Sequence, residues 1–168
     1  LAAVLAFRNR RDPAQPVRLP AALVLLVVFQ GLLGMWTVTL LLKPLIVSAH
    51  LVGGLTTMSL LWWLSFDVRP GERPAAERGL RTWAIVGLVA LALQIMLGGW
   101  VSSNYSALAC PDFPTCQASY WPDMDFKDAF VLWRGLGIDY EGGVLDHPAR
   151  VAIHYTHRLW GVVTAITL

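Results

Sequence analysis

The chain has 168 residues, of which 56% are hydrophobic and only 14% charged, with a net charge of +2 and a mean hydropathy of +0.55. A soluble domain of this length carries about a quarter charged residues, so the deficit points to a membrane protein. The small net charge gives no footprint for a nucleic-acid partner.

The uncharged stretches are continuously apolar rather than alternating, which predicts helices and an all-α transmembrane bundle. In chain order, Leu1–Phe7 is apolar but shorter than the ~20 residues that cross a bilayer core, and it runs into Arg8-Asn9-Arg10-Arg11. A secretory signal places its charges before the apolar run, so this segment reads as the end of a span and not as a leader. Three complete spans follow, Leu19–Leu42, Pro44–Phe66 and Thr82–Ser102. A tight turn at Lys43-Pro44 joins the first two, with Pro44 suited to the first turn of a helix. A loop over 103–149 leads to a last apolar helix, Val151–Leu168, read as a further partial span. The expected whole, 1–168, is one transmembrane domain that continues in the parent protein at both ends.

Loop charge gives an orientation. The loop over 8–20 carries Arg8, Arg10, Arg11 and Arg18, and the loop over 67–81 carries Arg69, Arg73, Arg78 and Arg81. Two helices separate them, so they share a side, which the positive-inside rule makes cytoplasmic. The loop over 103–149 sets Asp112, Asp123, Asp125, Asp128, Asp139, Glu141 and Asp146 against Lys127 and Arg134. It is expected to be periplasmic, or in the intermembrane space of an organelle.

An internal repeat accompanies this layout. Gln30-x-x-Leu33-Gly34-x-Trp36 recurs 64 residues on as Gln94-x-x-Leu97-Gly98-x-Trp100, each at the outer end of an outward-going helix. The glycines suit close helix approach and the tryptophans an aromatic belt, as do Trp62 and Trp63 at the inner end. The repetition suggests two related halves.

Four histidines occur, His50, His147, His154 and His157. His50 lies six residues into an inward-going helix, roughly 9 Å below its start. His154 and His157 lie near the start of the last helix, three apart and on one face. Ionisable residues inside a membrane are costly and mark functional sites. Neutral imidazole is an iron ligand, and bis-histidine haem needs histidines facing into a bundle. Histidines bonded between helices are the competing reading. Arg158 suits a haem propionate or, equally, snorkelling to lipid phosphate. Cys110 and Cys116 lie in the outer loop, where a structural disulfide is the simplest reading and a redox pair a weaker one. The acids of that loop, with His147, read mainly as a solvated surface, and one of them is a candidate proton carrier above the histidines.

Taken together, Gln30-Gly31-Leu32-Leu33-Gly34-Met35-Trp36-Thr37-Val38, Leu42-Lys43-Pro44 and Ala49-His50-Leu51 resemble the third and fourth helices of haem A synthases. Leu97–Tyr105 with Ala109–Cys116 resembles the fifth helix and following loop of the bacterial branch, and Ile153-His154-Tyr155-Thr156-His157-Arg158 the opening of the sixth. The resemblance implies an eight-helix protein of two pseudo-symmetric four-helix halves, of which this chain is the middle portion. It implies a haem b cofactor and oxidation of a haem O methyl group to the formyl group of haem A, for terminal oxidase assembly. His50 and His157 match the family's haem-iron histidines, and the family's His-Arg pairing falls on His157-Arg158; His154 has no firm family counterpart and is expected to shape the entrance or bond a haem propionate. Their partner histidines and the catalytic glutamate lie outside the chain. Membrane lipids, haem O synthase and the oxidase assembly machinery become expected partners, with a homo-oligomer left open. The competing functions are an electron-transfer membrane cytochrome b and a quinone-linked thiol oxidase acting through Cys110 and Cys116.

Overall fold

The computed structural model describes residues 2–12, 17–67 and 78–168, and among these every regular element is a helix. Arg69 and Arg73, which helped to set the orientation, lie outside the described residues. The order is α1 (Ala2–Arg8), α2 (Arg18–Thr39), α3 (Pro44–Asp67), α4 (Arg78–Ser103), α5 (Phe126–Ala129) and α6 (His147–Thr167). Three helices, α2, α3 and α4, are long and apolar enough to cross a membrane. Their outward side chains are large and apolar, with Leu25, Val38 and Trp62 each about 70% exposed. A surface of that kind is stable against lipid or further helices and not against water.

The α2 helix ends three residues short of the expected Leu42. Leu40 to Lys43 form the turn, with Leu41 and Leu42 both at positive φ. The β-free left-handed region is costly for leucine, and the surroundings hold it there. Lys43 is 2% exposed, its ammonium lying 3.4 Å from the Trp133 ring centroid and donating to the Gly135 carbonyl. The Tyr140 N–H donates to the Leu41 carbonyl at 3.1 Å. A desolvated cation–π contact contributes up to ~2 kcal/mol, so this lysine fastens the outer loop to the α2–α3 turn. Pro44 opens α3, as its fixed φ and missing N–H predict.

Helices pair as α2 with α3 and α4 with α6, and α3 packs on α4 between the two pairs. Gly99 permits the central contact: a Cβ there would lie 3.0 Å from Leu51 Cδ2 and 3.4 Å from Ser48 Oγ. Trp100 departs from the expected belt position. It is 7% exposed, and its indole N–H donates to the Ala129 carbonyl at 2.9 Å. The loop has folded down over the outer end of α4, so a position that hydropathy assigns to the interface becomes core. Trp36, its repeat counterpart, stays exposed, as do Trp62 and Trp63.

The outer loop is an ordered cap. Its α5 is started by the Asp125 carboxylate, which accepts from the Asp128 N–H at 3.0 Å. Ala129 and Leu145 join Trp100, Ala149, Ala152 and Ile153 in one buried cluster. This extra packing begins α6 at His147, four residues before the first residue of the apolar run.

Candidate functional site

Two equivalent helix contacts carry the histidines. In the first, the His50 ring of α3 rests on Gly34 of α2, where a Cβ would lie 3.4 Å from Cε1. In the second, the His157 ring of α6 rests on Gly98 of α4, where a Cβ would lie 3.3 Å from Cε1. A side chain extending beyond Cβ would crowd the imidazole, which suits glycine to this point of both repeats. In both rings Nδ1 is buried without a hydrogen-bond partner. A buried polar atom left unmet costs ~1–3 kcal/mol, so a pair of them in matching places calls for an explanation.

The glutamine of each repeat sits one turn deeper, against the helix that bears the histidine. Gln30 Nε2 donates to the His50 carbonyl at 2.8 Å. A Cβ at Gly54 would lie 3.3 Å from Gln30 Nε2, and one at Gly161 3.1 Å from Gln94 Nε2. Gly54 and Gly161 each follow their histidine by four residues. Both halves share this arrangement at Gly54 and Gly161, while Gln30 also lies against Gly53, where the other half has Trp160. Gln-x3-Gly on the outgoing helix meets His-x3-Gly on its neighbour, and each glycine seats the other helix's polar side chain. The Oε1 atoms of Gln30 and Gln94 are also buried and unpartnered. The repeat was visible in sequence only as far as Gln-x-x-Leu-Gly-x-Trp. The second strip, His50-x3-Gly54 and His157-x3-Gly161, recurs at a different offset because the outer loop intervenes, so a fixed sequence period does not reveal it.

His154 has different surroundings. Its Nδ1 accepts from the Cys110 N–H at 3.2 Å, and Arg158 Nε faces its Nε2 at 3.2 Å. Both ring nitrogens thus face protein N–H groups, of which a neutral imidazole accepts from only one, whereas the Nδ1 of His157 has no partner. Arg158 turns toward the outer loop: Nη1 donates to the carbonyls of Asp112 and Thr115, and Nη2 to that of Cys110. Guanidinium has five N–H groups, so one remains after these contacts. Cys110 and Cys116 form a disulfide, and both are buried. Within that ring the Asp112 carboxylate accepts from the Thr115 hydroxyl and from the N–H groups of Gln117 and Ala118. The Thr115 hydroxyl, foremost, and these N–H groups hold its carboxyl below the usual carboxylate range. The disulfide ring, Arg158 and His154 make one fixture above the His157 contact. His147 lies aside from it, in contact with Gln117 on the exposed loop.

Between the two histidine contacts lies a cavity of about 690 Å³. Ser48, Ala49 and Val52 of α3 line it, with Leu93, Met96 and Trp100 of α4. Ligand pockets of ~300–1,000 Å³ are of this size and apolar character. Ser48 Oγ is buried there without a partner.

Among the described residues no three His, Cys, Asp or Glu side chains gather into a metal cage. His50 and His157 stand singly, each on a separate helix pair. Single imidazoles on facing helices suit a metal that brings its own equatorial ligands, as haem iron does. The glycine seats fit such a group, and with Nε2 given to iron the unpartnered Nδ1 of each ring would carry the hydrogen.

The COX15-CtaA family, described as cytochrome oxidase assembly protein, matches residues 1–168. The chain belongs to this family. A protein of Shewanella oneidensis named heme A synthase is 44% identical over 161 residues, covering 94% of this chain and 49% of that protein. Heme A synthases of Caulobacter vibrioides (29% identical; 94% of this chain, 45% of that protein) and Sphingopyxis alaskensis (31%; 86% and 40%) also match. The chain spans about half the length of these family members or less. No solved structure matches it.

Proposed function

We propose that this chain is the middle portion of a haem A synthase, in which His50 and His157 each ligate one haem iron. The observation that carries the reading is the pair of equivalent contacts, His50 on Gly34 and His157 on Gly98, each with a buried, unpartnered Nδ1. Bound haem b supplies the iron redox chemistry for converting haem O to haem A. The chain's own residues bind and orient. Gly34 and Gly98 leave room for the rings, and Gln30 fixes the backbone of the His50 turn. The packed outer loop excludes water from the His157 side. Arg158 organises that loop and keeps one N–H for a propionate; His154 supports both.

Pigment extraction from the purified full-length protein tests this reading. Haem b together with haem O or haem A is the expected content. Haem b alone, with no conversion of supplied haem O, would make the protein an electron-transfer cytochrome, and a preparation free of haem would overturn the assignment.

The same reading places the chain in a bacterial inner membrane with the loop over 103–149 in the periplasm. The arginine-bearing loops on the opposite side support it. An impermeant maleimide applied to spheroplasts should label Cys110 and Cys116 only after reduction. Labelling before reduction would contradict the bridge, and none after it would contradict the sidedness. Opening so short a ring should lower stability by only ~2–3 kcal/mol. Its effect should fall on the loop, whose carbonyls Arg158 holds, more than on the spans.

A further inference from the structure

The amide oxygens of the two repeat glutamines are left without a task by the haem reading, yet these glutamines are the most regular polar feature inside the helices. Gln30 and Gln94 occupy the same place in each half, one turn below the glycine that seats the imidazole. Each amide nitrogen faces the glycine four residues after the histidine, Gln30 Nε2 is anchored on the His50 carbonyl at 2.8 Å, and Gln30 Oε1 lies against Gly53. Each amide oxygen is buried with nothing to accept from. In the same two contacts, each imidazole Nδ1 is buried with nothing to pair with. Each half thus holds an unmet amide oxygen and an unmet ring nitrogen, and Ser48 Oγ is a further unmet atom in the first.

A histidine that gives Nε2 to a metal carries its hydrogen on Nδ1, and that N–H is almost always taken up by an acceptor in the surrounding shell. A buried amide oxygen meets the requirement. We propose that Gln30 and Gln94 are positioning residues, the amide oxygen of each accepting the Nδ1–H of the histidine in its own half when that histidine ligates iron. The proposal rests on the haem reading above and deepens it. It assigns the two halves the same support, so the glutamine sets the ring tautomer and the electron-donating strength of the ligand in both.

The sign of the effect follows from the acceptor. A stronger acceptor on Nδ1–H makes the imidazole a better donor to iron and favours the ferric state. Loss of the acceptor does the reverse. The experiment uses the full-length protein with its haem, and it measures the reduction midpoint by spectroelectrochemical titration alongside the low-spin electron paramagnetic resonance spectrum. Gln30→Glu should lower the midpoint of the haem in the His50 half, and Gln30→Leu should raise it, with the other haem unmoved. Gln94→Glu and Gln94→Leu should act likewise on the His157 half. A merely structural glutamine would not order the midpoints as Glu below Gln below Leu. Wild-type midpoints and spectra in both variants, or shifts of one sign in both, overturn the proposal. If a leucine variant loses its haem, the nearly isosteric glutamate variant decides by the sign of its own shift. A wild-type protein without haem is recognised before any variant is made, and it overturns the haem reading and this proposal together.

Discussion

His157→Ala should abolish the low-spin haem signal of the carboxy-terminal half, whereas His154→Ala should keep it. The two side chains are three residues apart on one helical face, so spacing alone does not separate them. Their surroundings do. His154 is held from both sides, by the Cys110 N–H and by Arg158, and belongs to the fixture that carries the disulfide ring. His157 rests on Gly98, in the place His50 takes on Gly34, and its Nδ1 has no protein partner. Removing an axial ligand should weaken haem binding by roughly tenfold or more, each factor of ten being ~1.4 kcal/mol. His154→Ala should instead loosen the outer loop, with altered activity and a retained spectrum. His50→Ala should remove the haem of the other half. Haem titration of the three purified variants checks this, and loss in His154→Ala with retention in His157→Ala would reverse the assignment.

Much of the architecture is legible in the sequence because lipid imposes a simple rule. A segment without water must satisfy its own backbone, and the uncharged runs therefore give α2, α3 and α4 to within a few residues. What hydropathy does not encode is the outer loop. Its folding onto α4 buries Trp100, draws Lys43 out of solvent and lengthens α6 at its start. These are tertiary effects, set by partners outside the helix concerned. The site shows the same division. The histidines and glycines announce themselves, one as an expense in lipid and the other as a repeated small residue. Which histidine sits on which glycine depends on helix pairing, and neither Gln30 nor Gln94 shows its role until Gly54 and Gly161 are placed against them. Arg158 is the clearest instance of a charge that sequence leaves open. Its chemistry suits lipid phosphate or a propionate, and its described contacts are loop carbonyls and His154.

Gly98→Val and Gly34→Val should each displace the imidazole opposite without unfolding the bundle. A Cβ at either position would lie 3.3–3.4 Å from the ring's Cε1, so alanine needs the ring to give by only a few tenths of an ångström. Replacing a helical glycine with alanine gains up to ~1 kcal/mol of helix propensity, which offsets that crowding. Gly98→Ala and Gly34→Ala should therefore leave thermal stability near wild type, with a small change in the haem spectrum. Valine adds two methyl groups beyond the Cβ. Overpacking of this kind costs ~1–3 kcal/mol, and the imidazole, free of hydrogen bonds at Nδ1, is the group that yields. The valine variants should lose low-spin haem in their own half and retain it in the other. Gly79→Val is the control, because nothing lies within 4 Å of a Cβ there. Haem content, the low-spin spectrum and the melting temperature, measured together on the full-length protein, separate ring displacement from unfolding. Valine variants that keep both haems and the wild-type spectrum would show that these glycines do not seat the ligands.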